Sequence, residues 1–189
     1  MRTHFAASPV LTGSPARDVA LTARCERGQL RFDRADLASL GEASYIASAL
    51  ATFVRKKLLD ANASFTFETV MSHESKLDLL DRARACGYRT YLYFVAIDDP
   101  RVNVQRVENR VRLGGHAVPE NKVIDRYERS LALLREAIKR TDRAYLIDNS
   151  RRTVERVATF TRTPDGGHDV AFTGETVPYW VAKALPELV

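Results

Sequence analysis

Cysteine, tryptophan and long apolar runs are what this sequence has least of. Its two cysteines, Cys25 and Cys86, lie far apart and form no metal-ligand spacing. A reduced, cytoplasmic chain explains them best. No apolar run approaches the length of a transmembrane helix, which argues against a membrane-bound protein. The first residues, MRTHFAASPVLTGSPARD, lack the apolar core of a signal peptide. Repeats and low-complexity segments are absent too. The single tryptophan, Trp180, falls in a weak helical pattern over residues 177–188 and is expected in the core.

What the sequence has in quantity is arginine. The formal charge is +5 and the isoelectric point is near 9.4, which favours anionic partners. Arginine binds phosphate through two parallel hydrogen bonds where lysine acts as a point charge. One stretch, RVENRVRLGGHAVPENKVIDRYERS over residues 106–130, sets Arg106, Arg110, Arg112, Arg126 and Arg129 around the turn GGHAVP. Guanidinium groups beside a glycine turn suggest an anion, most simply a phosphate. A solvated basic helix pair is the alternative.

The length of 189 residues suits one domain with a substantial core. Residues 1–40 carry few signals: turns at Ser8-Pro9 and Gly13-Ser14-Pro15, a short helix around 16–24, a brief strand over 29–32. Asp33 and Asp36 have no further ligands at matching spacing and point to no metal site. Residues 44–60 show helical apolar spacing, with Ser44 as a cap and basic residues toward the end. Residues 64–70, SFTFETV, alternate and read as a strand. A helix over 76–86 ends at Gly87, and an apolar strand over 88–97 follows. Its continuous apolar character predicts cover on both faces, as in a parallel sheet. Strand, helix, strand make a βαβ unit.

Asp98-Asp99-Pro100 opens the next helix, with Val104, Val107 and Val111 as its apolar stripe. Asn103, Arg106 and Arg110 share another side. A long helix over 120–139 turns Val123, Tyr127, Leu131, Leu134 and Ile138 inward. By phase, Arg126 borders that side and Arg129 lies nearly opposite, so Arg126 is the better candidate for a partly buried role. Strands follow over 143–147, 154–162 and 170–173, the last two as a hairpin around Pro164-Asp165-Gly166-Gly167. The alternation predicts an α/β sheet with ligands at the carboxyl ends of its strands.

Glu68, Thr69 and Asp148-Asn149 each follow a strand in this reading. A carboxylate there can accept a proton from a substrate hydroxyl, or it can cap the next helix. The two options are about equally compatible with the spacing. Arginines closing over the same edge can neutralise phosphoryl charge. His73 and His116 are lone histidines, for which a surface or turn role is the simpler account.

The motifs FET-V-M-S-H, GYR with its apolar strand, RV-x-x-RV-x-x-GGH-x-VP, RY-x-RS and DNS stand in order between residues 44 and 150. In this the sequence resembles the zeta-toxin-like branch of the P-loop kinases. The resemblance implies a parallel sheet of adenylate-kinase-like type, ATP with Mg2+, and phosphoryl transfer to a small hydroxyl-bearing acceptor. In true zeta toxins that acceptor is a UDP-linked amino sugar. An antitoxin partner is implied as well. Glu68 would lie beside the acceptor site, next to Thr69. Arg110 and the loop to His116 would belong to a lid over the phosphates, and Arg126 would face a phosphate. Asn149 would lie near the nucleotide base, while Arg106 and Arg129 match the pattern without a definite role.

The family begins with a strand and G-x-x-x-x-G-K-[ST], whose amides and lysine hold the β- and γ-phosphates. No such motif occurs in these 189 residues. The expectation is a family domain over 41–189 without its first strand and P-loop, behind an ill-defined segment 1–40. Most of the triphosphate cradle is then missing, and ordinary ATP turnover is not expected. Two functional readings follow: a zeta-toxin-like kinase inactive in this form, or a non-catalytic module that binds an anion or a protein. Nucleic-acid binding is weakest, because aromatic and basic residues do not interleave.

Overall fold

The computed structural model describes residues 2–4, 22–26, 29–32 and 43–188 apart from 175. The chain divides into two compact units, Met1–Thr66 and Phe67–Val189, where the sequence reading set a boundary at 40/41. In the first unit, β1 (Arg2–His4), β2 (Thr22–Glu26) and β3 (Gln29–Phe32) form an antiparallel sheet in that order. The strand expected over 29–32 is β3. The helix expected over 16–24 is not formed at its end, since residues 22–24 belong to β2. Its start, the turns at Ser8-Pro9 and Gly13-Ser14-Pro15, and Asp33 and Asp36 lie outside the described residues.

Helix α1 (Ala43–Asp60) closes the first unit and takes Ser44 inside its first turn rather than as a cap. It stops at Asn62, whose φ of 52° is left-handed. The Asn62 amide donates to Leu59 O and the Ala63 amide to Leu58 O, both at 3.0 Å. These two bonds satisfy carbonyls that the helix end leaves open.

The second unit holds α2 (Ser75–Ala85), β4 (Tyr91–Ala96), α3 (Pro100–Arg112), α4 (Glu120–Lys139), β5 (Arg143–Asp148), β6 (Glu155–Arg162), β7 (His168–Phe172), α5 (Tyr179–Ala184) and a 3-10 turn, Pro186–Leu188. The sheet runs β4-β5-β6-β7. Only β4 and β5 are parallel, joined through α3 and α4; the other two pairings are antiparallel. The fold is therefore mixed α/β: of the expected parallel core the described residues form one parallel pair, and the expected C-terminal hairpin continues the sheet. The late hairpin supplies the antiparallel half.

Residues 64–70 form no strand. Their β-propensity is real, but propensity expresses itself only through a ladder. The expected βαβ unit thus loses its first member, and the parallel crossover runs from β4 to β5 instead.

The core lies on one face of the sheet. Leu92, Phe94, Ala144, Leu146, Ala158 and Phe160 meet Tyr127, Leu131, Leu134, Ala137 and Ile138 of α4, with Trp180 and Val181 of α5. Burying each large side chain is worth about 1.5–3 kcal/mol. On the opposite face of β4, Tyr93 is 65% exposed, and Tyr91 and Val95 are exposed as well. Cover on both faces, expected from the apolar run, is not what the structure has. Tyr93 stacks on Tyr145 of β5, ring centroids 4.8 Å apart, and so shields part of its own face.

Candidate functional site at the carboxyl edge of the sheet

Helix α2, before the amino end of β4, and helix α3, after its carboxyl end, both stop at glycine. At the end of α2, Gly87 (φ 79°) donates to Arg84 O at 2.9 Å and Tyr88 to Ala83 O at 3.0 Å. At the end of α3, Gly114 (φ 86°) donates to Val111 O and Gly115 to Arg110 O, both at 2.9 Å. A Cβ on Gly115 would stand 2.8 Å from Arg110 O. The Gly114-Gly115 pair is therefore a C-terminal helix cap. Its two amides face the helix they end, so they are not available to cradle a phosphate.

Helix α3 starts as its sequence predicts. Asp99 is the N-cap, Oδ1 accepting the Arg101 amide at 2.9 Å, and Pro100 occupies the first turn. Arg101 in turn holds the Asp99 carboxyl below its usual range, first through its amide and then through its side chain. No residue of α3 is buried, so its valine stripe is a shallow contact against α4 rather than core.

The carboxyl ends of β4 and β5 are tied together by a closed hydrogen-bond network. The Asn149 amide donates to Ala96 O at 2.8 Å, and the Asp98 amide to Ser150 Oγ at 2.9 Å. Ser150 Oγ donates to Asp148 Oδ1 at 2.6 Å. Trp180 donates twice: its amide to Asp98 Oδ1 at 2.9 Å, and its indole Nε1 to Asp148 Oδ1 at 3.0 Å. The Tyr127 hydroxyl donates to Ile97 O at 2.8 Å. Burial first, then the charges of Glu128, Asp98 and Asp99, push the Tyr127 hydroxyl up to about 12.

The edge residues expected from sequence fare differently within this frame. Asp148, expected just after a strand over 143–147, is the last residue of β5, and its buried Oδ1 accepts from both Trp180 and Ser150. Through that oxygen it anchors α5 to the sheet end. Asn149 and Arg106 are brought together: Arg106 Nη2 donates to Asn149 O at 3.2 Å across 43 residues of sequence. Arg110 Nη2 donates to His116 O at 3.0 Å, which fixes the loop after α3. The His116 ring is exposed.

Arg126 is exposed and has no hydrogen bond or ion pair to a described side chain. The partly buried position expected for it is not found, because the buried stripe of α4 begins one residue later, at Tyr127. Arg129 is exposed and paired with Asp125 at 2.6 Å. Glu68 is exposed, and Thr69 Oγ1 makes only a long local contact with Val70 O at 3.4 Å. Among the described residues, no hydrogen bond or ion pair joins either to the β4–β5 edge. His73 has a turn role: its Nδ1 accepts the Ser75 amide at 3.2 Å and sits 3.0 Å from Ser75 Oγ, at the start of α2.

Sequence reasoning missed Asp98, Ser150 and the indole of Trp180 as members of this edge. One signal was present. A buried tryptophan needs an acceptor for its N–H, and the strand-end motifs offered carboxylates at Asp98 and Asp148. Among the described residues, no group of three or more His, Cys, Asp or Glu side chains is arranged to hold a metal ion. No helix among them is long and apolar enough to cross a membrane.

The zeta toxin family model matches residues 38–160, from just before α1 into β6. That span contains the β4–β5 edge, both arginine helices and the glycine cap. No curated protein and no solved structure matches the chain.

Proposed function

The chain belongs to the zeta toxin family, and we propose that these residues bind a phosphate-bearing small molecule at the β4–β5 edge without transferring a phosphoryl group. The observation that carries this is the Arg106–Asn149 bond, which anchors the arginine helix against the end of β5. Arg126, exposed and unpaired among the described residues, supplies free N–H donors for an oxyanion.

The family's chemistry is kinase-like, with a nucleotide and Mg2+ in attendance. The residues present do not fit that pair. G-x-x-x-x-G-K-[ST] does not occur in these 189 residues. The Gly114 and Gly115 amides are spent on the α3 cap, and Oδ1 of the Asp148 carboxylate is engaged by Trp180 and Ser150. A phosphoryl-transfer site depends almost wholly on positioning and charge neutralisation, and those are the functions lacking. The ligand in this reading is a nucleotide sugar or a similar phosphate ester, held by Arg126 with Arg106 and Arg110 behind it. Glu68 and Thr69 contribute only if the 64–70 segment folds over the bound molecule.

Calorimetry with a UDP-linked amino sugar, and separately with ATP and Mg2+, tests the reading. Saturable binding of the sugar nucleotide is expected, with no phosphorylated product after addition of ATP. Arg126→Ala should weaken binding at least tenfold, since a hydrogen bond to a charged group is worth about 1.5–3 kcal/mol. Phosphorylated product would overturn the non-transferring role. Unchanged affinity in Arg126→Ala would overturn the placement of the ligand.

A further inference from the structure

The opposite end of the sheet carries a second basic feature, at the strands' amino ends rather than their carboxyl ends. Tyr91 opens β4 and pairs in register with Arg143, which opens β5; Arg143 pairs in turn with Thr161 near the end of β6. These residues, with Arg89, Asp142 and Arg162, line an open recess of about 340 Å³.

The charges of the recess are not equivalent. Asp142 Oδ2 accepts the Thr90 amide at 2.6 Å and the Thr90 hydroxyl at 3.0 Å, so this carboxylate is engaged with its own neighbour. Arg162 is held in place by three backbone carbonyls: Thr141 O at 3.3 Å, Gly166 O at 3.1 Å and Lys139 O. It adds fixed positive charge. Arg89 and Arg143 are exposed and have no ion pair or hydrogen bond from their guanidinium groups to a described residue. Each offers N–H donors in a planar fork suited to an oxyanion.

One further group makes the recess more than a charged surface. The Tyr91 ring is 46% exposed at the rim and presents an apolar face beside the cations. Thr163 also lines the recess, but its hydroxyl oxygen is buried against the Asp165–Gly167 turn and is not presented to a ligand.

We propose that this recess binds a phosphate monoester, its oxygens held by Arg89 and Arg143 with Arg162 supplying fixed charge behind them. The proposal is independent of the β4–β5 edge and shares no residue with it. Inorganic phosphate and a nucleoside monophosphate present the same anion, and Tyr91 tells them apart. Stacking of a base on an aromatic ring contributes to the second alone.

Calorimetry on the full chain, with inorganic phosphate and with AMP as probes, tests it. The wild type should bind at least one of them saturably. The double variant Arg89→Ala/Arg143→Ala should lose tenfold or more in affinity for each probe that binds. Lys56→Ala, which removes an exposed charge from α1, should leave affinity unchanged. If Tyr91→Ala weakens AMP and spares phosphate, the recess takes the nucleotide; if it spares both, the recess takes the phosphate group alone. Absence of saturable binding by the wild type overturns the proposal. So does an unaltered double variant, or an equal loss in Lys56→Ala, which would reduce the effect to net charge. Arg89 and Arg143 are exposed, so a folded double variant is expected, and Arg143→Gln keeps the test open if it is not obtained.

Discussion

The indole Nε1 of Trp180 donates to Asp148 Oδ1 at 3.0 Å, joining the one tryptophan of the chain to the last residue of β5. This bond docks α5 on the sheet, and it engages one oxygen of a carboxylate that stands where a catalytic base is expected.

Trp180→Phe should destabilise the protein by about 1–3 kcal/mol, because it leaves a buried carboxylate one donor short. Asp148→Asn, which keeps an acceptor oxygen, should cost less than Asp148→Leu. Urea denaturation followed by far-ultraviolet circular dichroism reads both, since the Phe variant has no tryptophan fluorescence. Equal stability of Trp180→Phe and wild type would show that packing alone seats α5.

The glycine pair after α3 acts through backbone geometry. Gly114→Ala forces an L side chain into φ 86° and should cost about 1 kcal/mol. Gly115→Ala should cost more, because the new Cβ would meet the Arg110 carbonyl oxygen at 2.8 Å and its Cγ at 2.6 Å. Thermal unfolding should rank them in that order; the reverse order would mean that the loop shifts freely and that the cap is not tight.

Acid should act through Asp142. Burial pushes its carboxyl up, but the Thr90 amide and hydroxyl, then Arg162 and Arg84, outweigh burial and hold it below its ordinary value. A depressed carboxyl stabilises the fold above its unfolded pKa, near 4, and that contribution is lost as pH falls through the lower, folded value. Denaturation midpoints measured from pH 6 down to pH 2 should fall less steeply in Asp142→Asn than in wild type. Parallel curves would show that other carboxylates govern acid unfolding.

Alkali should act through Tyr127. Its hydroxyl titrates near 10 when unfolded and at about 12 when folded. Stability from this group is therefore complete below pH 10 and lost as pH rises from there through 12. Tyr127→Phe gives up the bond to Ile97 O, about 1 kcal/mol at neutral pH, but it should narrow its deficit as pH passes 10. A deficit that stays constant to pH 11 would mean that the hydroxyl does not titrate differently in the two states.

Two helix ends were legible in the sequence because each is a local device. Asp99-Pro100 begins α3 and Gly87 stops α2, both through bonds spanning no more than five residues; the same kind of bond makes Gly114 a stop for α3, where an anion-binding turn was expected, and Asn62 a stop for α1, which was not foreseen. The inward side of α4 was legible for the same reason, since 3.6-residue periodicity needs no partner to be seen. The β6–β7 hairpin followed from its turn residues.

Tertiary structure decided what depends on distant partners. Residues 64–70 have the composition of a strand, yet a strand exists only where a ladder forms. The arginines of the 106–130 stretch looked alike by type. Bonds across the fold separate them: Arg106 to Asn149, Arg110 to the His116 carbonyl, Arg129 to Asp125, and Arg126 to none among the described residues. Asp148 sat at the predicted strand end, but only the docking of Trp180, 32 residues on, determined that its carboxylate would be an anchor. By itself the sequence determined the start of α3, the stop of α2, the inward side of α4 and which family this is. Which charged groups remain free to meet a ligand was decided by contacts between segments far apart in the chain, which local patterns do not encode.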